Sequence, residues 1–417
     1  MNKRLKIGIF MDSFYPNVDG VVIVIDNLAK RLAKYNDVTV IVPWTETYKE
    51  DKNYPYKIIR IKSHKFLNTE YKFSFNQPRW TSIYKKLIKE QFDIVHIHSP
   101  FMIGRLGLKV AHDLNIPAIA TMHTLFDYEI RKLFHSETLV NQILNNLITV
   151  YNKCDNCIAV NNRTALEYKK YGYKYDPAII YNGTDITEVK NKRKAFEKVN
   201  RLYNLNSEDN VLLFVGRINE VKNIFFILDS LKLLKENGFN FKMIYVGTGP
   251  DEEKLREQIK EYKLEKNVIL TGKITDRELL SSIYARADLF LFPSTFDTCS
   301  LVQIEAAINE TAGLFIKDSV TAETITDNVN GYLCEENRIE FKDKIKEILS
   351  DKKKLSKISK NAKKMLSRSF DDVTLDTYNL YLKEIEKKKN GWSSKQKCWQ
   401  NAKIKVELIM HLDAGVV

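Results

Sequence analysis

Two carboxylates stand close together after a buried run in the C-terminal part of the chain. The apolar run 289–292 is typical of a parallel strand, and Pro293 ends it. Asp297 lies in the loop that follows, and Glu305 lies within a helix that begins near Leu301. The N–H groups at a helix start bind phosphate, and carboxylates accept hydrogen bonds from sugar hydroxyls. The spacing fits a sugar-phosphate site, and it fits a solvated loop acid and a helix-face acid equally well.

Cations and glycines follow other strands in the same way. Arg217 and Lys222 come after the strand 211–215, where two cations can hold a diphosphate whose charge grows as it departs. Gly249 suits a tight turn near a ligand, and Gly20, at the start of the first helix, lets a phosphate approach the backbone. Two solvated charges, an ordinary turn and an ordinary helix start are the alternatives.

Histidines end two strands of the N-terminal half. His123 follows the strand 118–122, a position suited to a catalytic role or to a hydrogen-bonded structural one. His96 and His98 lie on one face of their strand, so at most one of them reaches a site at its end. No third ligand stands at metal spacing, and we predict no metal site.

Composition and length indicate a two-domain globular protein. The 417 residues exceed one ordinary core, and no apolar run reaches the roughly 20 residues that span a bilayer. Five cysteines, an odd number, favour reduced cytosolic thiols, and the isolated pair Cys154 and Cys157 favours packing over zinc. The net charge of +13 is concentrated before residue 180, which suggests an acidic partner, either a nucleic acid or an anionic membrane surface, or serves solubility alone. No zinc-finger or basic-zipper spacing supports nucleic acid.

Strands and helices alternate along the chain and restart after a polar stretch at 187–209. Such alternation predicts two parallel sheets, each covered by helices. Ligands of such sheets bind at the carboxyl ends of the strands, so two domains facing each other would hold a site in their cleft.

The loops after these strands form an ordered series of motifs. The series reads GIFMDSFYPNVDGV, DIVHIHSPF, TMHT, YNGTDI, VGRINEVKN, VGTGPDEEKL, LTGKI, FPSTFDTCSLVQIEAA and NVNGYL. Over residues 5–385 it resembles the family 4 retaining glycosyltransferases, with the closest similarity to bacterial 1,2-diacylglycerol 3-glucosyltransferases. Asp297 stands where that family usually has Glu, Cys299 and Ser300 replace an aromatic-Gly pair, and Glu310 and Ala312 replace Gly and Pro.

The resemblance implies the GT-B fold, an α/β architecture of two Rossmann-like domains facing across a cleft. It implies an acceptor-side domain at 1–186, a nucleotide-sugar domain at 187–365, a helix at 366–390 that returns to the first domain, and an atypical tail at 391–417.

The same resemblance assigns roles to site residues. Gly20 would approach the donor and His123 the transferred sugar, while Arg217 and Lys222 bind the diphosphate. Asp297 would bind sugar hydroxyls and Glu305 the ribose. The remaining donor-binding residues would be Gly249, Ser300 and Leu301.

The implied function is transfer of a hexose, with glucose from UDP-glucose expected, to a membrane lipid such as 1,2-diacylglycerol, with retention at the anomeric carbon. The donor would be a substrate rather than a tightly bound cofactor, and no motif requires a divalent metal. The expected location is the inner face of the plasma membrane. A glycosyltransferase of cell-surface polysaccharide or cell-wall synthesis, and a non-catalytic membrane-binding protein of the same fold, are the alternatives.

Basic residues beside apolar ones suggest how the N-terminal half would meet an anionic membrane. Three groups carry this expectation: Lys30, Arg31 and Lys34 on one helix, Lys85, Lys86 and Lys89 on another, and Arg131, Lys132, Leu133 and Phe134 on a helix spanning 127–150. The tail has two tryptophans among lysines, and either an interfacial segment or a disordered end fits this composition.

Overall fold

The computed structural model describes residues 4–17, 19–65, 72–75, 77–295, 297–298 and 300–391. The chain forms two compact units. One holds the chain up to Tyr181 and again from Phe370 onward, and the other holds Asn182–Ser369. Each unit is built on a parallel sheet with helices between its strands, which confirms the predicted α/β class.

The first unit has a seven-stranded sheet in the order β3-β2-β1-β6-β7-β8-β9, and all its neighbouring strands are parallel. Its strands are β1 (Lys6–Phe10), β2 (Asp37–Pro43), β3 (Lys57–Ile61), β6 (Ile94–Ile97), β7 (Ala118–Met122), β8 (Asn156–Ala159) and β9 (Ala178–Ile179). A separate antiparallel pair joins β4 (Ser63–Lys65) to β5 (Lys72–Ser74).

The helices of the first unit follow its strands. They are α1 (Gly20–Leu32), α2 (Ser82–Lys89), α3 (Met102–Asp113), α4 (Phe126–Leu133), α5 (Glu137–Lys153), α6 (Asn162–Lys170) and, after the second unit, α14 (Phe370–Lys389). The prediction of one helix over 127–150 was wrong. The backbone of Phe134 is extended, and Ser136 precedes a new helix, so α4 and α5 are separate.

The second unit has a six-stranded parallel sheet in the order β12-β11-β10-β13-β14-β15. Its strands are β10 (Val211–Val215), β11 (Lys242–Val246), β12 (Val268–Leu270), β13 (Leu289–Phe292), β14 (Gly313–Ile316) and β15 (Tyr332–Cys334). Its helices are α7 (Lys192–Tyr203), α8 (Ile224–Glu236), α9 (Glu252–Glu261), α10 (Arg277–Arg286), α11 (Leu301–Ile308), α12 (Arg338–Ser350) and α13 (Lys352–Leu366).

Buried side chains explain why these strands are apolar throughout. Every residue of β10 and of β13 is buried, because helices cover both faces of a parallel sheet. Phe214, Phe292 and Phe290 stack in the core of the second unit, and Phe315 meets Phe290 and Phe292 edge-on. The polar side chains of the second unit that could meet a ligand therefore lie in the loops beyond these strands.

The helix α14 returns to the first unit, as predicted, and polar contacts hold it there. The hydroxyl of Tyr381 lies 2.6 Å from Nδ1 of His96. The side-chain amide of Asn156 donates to Glu384 over 3.0 Å, and Glu384 is buried. Because these partners lie on β6 and β8, the last helix completes the core of a sheet that begins near the N-terminus.

Residues 182–186 lie in the second unit rather than in the first, where the sequence placed them. Ile186 is buried in the core of the second unit. The N–H of Thr184 donates to the carbonyl oxygen of Arg368, and Thr184 pairs with Ser369 as a β-bridge. The chain therefore enters and leaves the second unit through two adjacent segments.

Cys154 and Cys157 are buried, and their thiols donate to the backbone carbonyl oxygens of Val150 and Tyr151, which agrees with the packing interpretation. No helix in the described part of the chain is long and apolar enough to span a membrane. The predicted tail falls almost entirely at 392–417, outside the described residues.

Glu310 has a backbone conformation that favours glycine. It follows α11 with a φ of 57°, in the left-handed region where a side chain costs about 1 kcal/mol relative to glycine. Its carboxylate pairs with Lys192 and, at 3.0 Å, with Lys363. These contacts lower the pKa of Glu310, with the hydrogen bond from Lys192 as the largest cause. Ion pairs thus offset backbone strain at the position where the resembled family has Gly.

We expect Glu310→Ala to lower the free energy of unfolding more than Glu310→Gly, by about 1 kcal/mol. Both variants lose the two ion pairs, but only alanine keeps the left-handed strain. Thermal and denaturant unfolding of the two variants measure the difference, and equal stability would contradict the assigned strain.

The contribution of the Glu310 charge to stability is tested separately with Glu310→Gln, because glutamine removes the charge but keeps the left-handed backbone strain. Since the pKa of Glu310 is lowered on folding, its ionised form stabilises the protein above the ordinary carboxyl pKa of about 4.3. The stability gap between wild type and this variant should therefore be present at neutral pH and close as the pH falls below that value.

Candidate active site

The strand order of the second sheet reverses between β10 and β13, so the loops after these strands lie next to each other. Lys222, in the loop after β10, forms an ion pair with Asp297, in the loop after β13. Asn223 donates to the carbonyl oxygen of Pro293 over 3.0 Å and joins the same two loops. Two residues predicted to bind a sugar diphosphate are therefore in direct contact at the position where such sheets bind ligands.

Buried polar atoms without a partner collect around this ion pair. Among the described residues they include Oδ2 of Asp297, Oγ of Ser294, Oγ of Ser300, Oδ1 of Asn219 and Nε of Arg277. All five belong to loops or helix starts beyond the carboxyl ends of β10, β12 and β13. Because an unpartnered buried polar atom is costly, such a concentration indicates a site whose hydrogen bonds are completed by a ligand or by water.

The start of α11 borders the same loops. Ser300 is the residue before the helix, and its side chain makes no capping hydrogen bond. Arg217 is exposed on the loop after β10, upstream of Lys222. The sequence therefore predicted correctly that these residues follow neighbouring strands, although Arg217 makes no ion pair with the described part of the chain.

Glu305 is buried on α11 and already has two side-chain partners. The hydroxyl of Tyr284 donates to Oε2 over 2.9 Å, and the guanidinium of Arg277 donates to Oε1 over 3.3 Å. Arg277 also forms an ion pair with Asp185. Burial raises the pKa of Glu305, while the charge of Arg277 and the hydrogen bond from Tyr284 oppose that rise. Arg277 is thus the side chain that most directly compensates for the cost of burying the Glu305 carboxylate.

Sequence reasoning missed Arg277, Tyr284 and Asp185. The signal that could have found Arg277 was its position at the first turn of a helix that follows β12, at the same edge of the sheet. The contact of Tyr284 with Glu305 depends on the packing of α10 against α11, and Asp185 reaches Arg277 from the distant segment 182–186, so no local pattern reveals either contact.

The two glycines that were predicted to bind the donor differ in whether a side chain would fit at their positions. A Cβ on Gly249 would lie 2.1 Å from the carbonyl oxygen of Ile218, so only glycine allows the loops after β10 and β11 to approach this closely. A Cβ on Gly20 would meet nothing within 4 Å. Gly249 therefore has a packing role, whereas the space beside Gly20 is open.

The first unit places three histidines in a row at the ends of β6 and β7. Nδ1 of His98 lies 2.9 Å from Nε2 of His123, and Nε2 of His98 is buried without a partner among the described residues. The rings of His96 and His98 are 4.0 Å apart between centroids, so both lie on one face, as predicted. Burial lowers the pKa of His123 to about 3 and that of His98 well below its ordinary value. His123 is therefore neutral at ordinary pH and acts through hydrogen bonds rather than charge.

Asp12 occupies the strand-order reversal of the first sheet and was also missed by the sequence analysis. It follows β1 and accepts hydrogen bonds from Oγ of Ser99 and from the N–H groups of Ile103 and Gly104, over 2.6, 2.8 and 3.2 Å. Burial raises its pKa despite these donors. The buried carboxylate fixes the start of α3 against the end of β1.

Three of the predicted basic residues of the first unit have acidic partners. Lys30 pairs with Asp26, Arg31 pairs with Asp371, and Lys34 lies beyond the end of α1. Arg131 pairs with both Asp127 and Glu137. The side chain of Lys132 lies outside the described residues, whereas Leu133 and Phe134 are exposed. The lysines of α2 are exposed and have no acidic partner within the described part of the chain.

No group of three or more His, Cys, Asp or Glu side chains that could hold a metal ion is present among the described residues. The expectation of a metal-independent reaction stays a prediction.

Two family models match the chain, one in each half. The model of Glycosyltransferase Family 4 matches residues 18–188, and the model of Glycosyl transferases group 1 matches residues 195–365. The matches follow each other in chain order and account for most of both units.

Curated relatives agree with these matches. The alpha-monoglucosyldiacylglycerol synthase of Acholeplasma laidlawii is 28% identical over 92% of this chain and 100% of its own length. The enzyme of the same name from Streptococcus pneumoniae is 26% identical over 79% of this chain and 75% of its own length. A GDP-mannose-dependent alpha-mannosyltransferase of Corynebacterium glutamicum is 25% identical over 80% of this chain and 77% of its own length.

A solved structure shows the same fold. The crystal structure of Anabaena HepE in complex with UDP and glucose has a TM-score of 0.72 and 18% identity, and covers 90% of this chain and 99% of that one. This likeness confirms the predicted GT-B fold class. With both family models matched in order and the fold shared, the chain belongs to the family 4 glycosyltransferases and is a hexosyltransferase.

Proposed function

We propose that this glycosyltransferase moves glucose from UDP-glucose to a membrane lipid acceptor of the 1,2-diacylglycerol type. The observation that carries the proposal is the contact between Lys222 and Asp297 at the strand-order reversal, surrounded by unpartnered buried polar atoms. A nucleotide sugar brings a diphosphate for the cation and hydroxyls for the carboxylate.

Support for the donor and acceptor comes from the relatives. Two of them are named as alpha-monoglucosyldiacylglycerol synthases, and HepE was crystallised with UDP and glucose. The mannosyltransferase relative uses GDP-mannose, so the donor has to be tested directly. The proposal places the protein at the inner face of the plasma membrane, where a nucleotide sugar and a diacylglycerol meet.

In the proposed reaction, the bond between the anomeric carbon and the diphosphate breaks, and a bond to the acceptor hydroxyl oxygen forms on the same face of the sugar. The departing diphosphate takes the bonding electron pair, and its oxygen accepts the proton of the acceptor hydroxyl. Arg217, Lys222 and the N–H groups at Ser300 and Leu301 stabilise the developing charge. Asp297 holds sugar hydroxyls, Glu305 holds the ribose, and Gly20, Gly249 and His123 border the donor. No carboxylate acts as a nucleophile in this scheme.

The chemical structure of the reaction product tests the proposed function. The protein is incubated with UDP-glucose, UDP-galactose or GDP-mannose, with and without diacylglycerol in anionic vesicles, and the lipid product is analysed by mass spectrometry and NMR. We expect an α-glucosyl lipid from UDP-glucose.

The double variant Arg217→Ala, Lys222→Ala should lose far more turnover than donor affinity, because these cations act as charge develops on the departing diphosphate.

Other outcomes of this experiment separate the alternatives. A sugar transferred to a soluble glycan but not to lipid would point to polysaccharide or cell-wall synthesis. No transfer from any donor would overturn the proposed reaction and favour a non-catalytic membrane-binding protein.

The assignment of Glu305 to ribose predicts a pH effect through Arg277. The charged or titratable side chains that face Glu305 are Arg277, Tyr284 and Asp185. Removing the cation with Arg277→Met should raise the pKa of Glu305 further, because burial is then uncompensated. Protonated Glu305 accepts fewer hydrogen bonds, so UDP affinity should fall by about tenfold near neutral pH and by more at lower pH.

Calorimetry across a pH series measures the UDP affinity of the wild type and of the variant. The ratio of the two affinities is compared, because the protonation of UDP itself affects both proteins equally and cancels. Arg277→Lys keeps the charge and serves as the control, with a profile close to wild type. A ratio that does not change with pH would contradict the coupling between Arg277 and Glu305.

Membrane contact is expected mainly at α2 and the residues before it. Lys85, Lys86 and Lys89 are exposed, while Tyr84 and Leu87 on the opposite side are buried. Trp80 is 77% exposed and Phe75 is 59% exposed, so aromatic side chains stand near the lysines in sequence. Lysines with exposed aromatic residues are typical of a surface that rests in an anionic lipid interface.

We expect replacement of Lys85, Lys86 and Lys89 by Gln to weaken co-sedimentation with anionic vesicles, since each lysine near such a surface contributes about 1 kcal/mol. Replacement of Lys30 and Arg31, which already have acidic partners, is the comparison and should have a smaller effect per charge removed. Binding should rise with the anionic lipid fraction, fall with salt and survive deletion of 391–417. Loss of binding with that deletion alone would assign the contact to the tail instead.

A further inference from the structure

The helix α13 has an unusual charge composition for an exposed helix. It carries seven lysines and no acidic residue in fifteen positions. The exposed helices α9 and α12 mix both signs, with ion pairs such as Arg256 to Glu252 and Lys344 to Glu347. Like charges three or four positions apart destabilise a helix, and lysines in the first turn oppose the helix dipole. The composition of α13 therefore has an electrostatic cost that the other helices avoid.

Four of these lysines form one row along the helix, which we call the basic stripe: Lys353, Lys357, Lys360 and Lys364. Successive residues of an α-helix are about 100° apart, so the four lie within an arc of about 60° and extend over about 17 Å. The buried residues Leu355, Ile358, Ser359 and Ala362 lie on the opposite side. The stripe is thus the part of the helix directed farthest from the core of its unit.

The lysines of the basic stripe are also available. Lys352 pairs with Asp288, and Lys363 pairs with Glu188 and Glu310, so the lysines at the edges of the helix have local structural roles. All four lysines of the stripe are exposed, and none forms an ion pair with any described residue. The four lysines without an ion-pair partner are therefore the ones that face away from the core of the unit.

We propose that the basic stripe is a docking surface of the second unit for an anionic lipid bilayer. A straight row of ammonium groups on a convex helix fits a plane of anionic head groups, where each charge acts without a fixed hydrogen-bond geometry. The helix contains no arginine and no aromatic residue, which nucleic-acid surfaces use for phosphate and base contacts.

The choice of a lipid partner rests on the proposed membrane acceptor. The stripe adds a contact on the second unit to the one proposed at α2 on the first. Recruitment would then include a contribution from the second unit in addition to that of the acceptor-side unit.

The test uses the full chain and vesicles of phosphatidylcholine with increasing fractions of anionic phosphatidylglycerol. The stripe variant replaces its four lysines with Gln, which preserves helix propensity. The matched control replaces four exposed lysines elsewhere in the same unit that have no acidic partner among the described residues: Lys194, Lys198, Lys260 and Lys346. Both variants change the net charge equally, and UDP affinity and thermal unfolding verify that each is folded.

We expect the stripe variant to lose at least about tenfold in vesicle partitioning, because each lysine near an anionic surface changes it by about fivefold before screening by salt. The control variant should lose about twofold or less. Equal partitioning of the two variants would overturn the proposal. Binding to single-stranded RNA that depends on the stripe, without vesicle binding, would overturn the lipid assignment.

Glucosylation of diacylglycerol in neutral detergent micelles is measured alongside. If the wild type makes the glycolipid and the stripe has no effect on vesicle binding, the stripe proposal fails and the proposed function stands. If vesicle binding needs the stripe but no glycolipid forms, the proposed function fails and the docking surface stands.

Discussion

Each parallel sheet reverses its strand order at one place, and this reversal decides where polar side chains can collect. The strands on either side, β10 and β13 in the second unit, are buried along their whole length. Loops diverge beyond their carboxyl ends, which leaves a crevice in sheets of this kind. Lys222 and Asp297 meet there, and in the first unit Asp12 and Ser99 meet at the equivalent place.

The charges of the second unit compensate each other before any ligand is considered. Lys222 neutralises Asp297, and Arg277 lies between Glu305 and Asp185. A nucleotide sugar would offer similar chemistry, with phosphates for the cation and hydroxyls for the carboxylates. Donor binding in the proposed reaction is therefore an exchange of partners, whose net free energy is smaller than the individual contacts suggest.

The sequence was sufficient for the features that follow from periodicity and from position after a strand. The α/β class and the placement of Lys222, Asp297 and Glu305 on loops and helices after strands were predicted from such patterns, whereas the returning helix was implied by the family resemblance. The partners of these residues were not, because Tyr284 reaches Glu305, and His98 reaches His123, through packing between elements distant in sequence. Their specific roles toward a donor remain proposals for the same reason.

The predicted helix over 127–150 failed for a local reason. Its apolar periodicity continues across Phe134, and no proline or glycine marks the break, so only the extended backbone of that residue reveals two helices.

The set of basic residues expected to contact a membrane changed for a different reason, which is ion pairing. Composition counts each arginine and lysine as free charge, whereas Arg31 and Arg131 are already paired with acids.

The returning helix α14 makes the first unit discontinuous in the chain. Its seven strands are synthesised before residue 181, but Tyr381 and Glu384, which contact His96 and Asn156, follow only after the whole second unit. During synthesis, the nascent first sheet therefore lacks the polar partners of two of its strands until the second unit has been made. The ring centroids of His96 and His98 are 4.0 Å apart, so the histidine row also gains its contact with α14 late. In this architecture the first sheet reaches its native arrangement only after α14 has been synthesised.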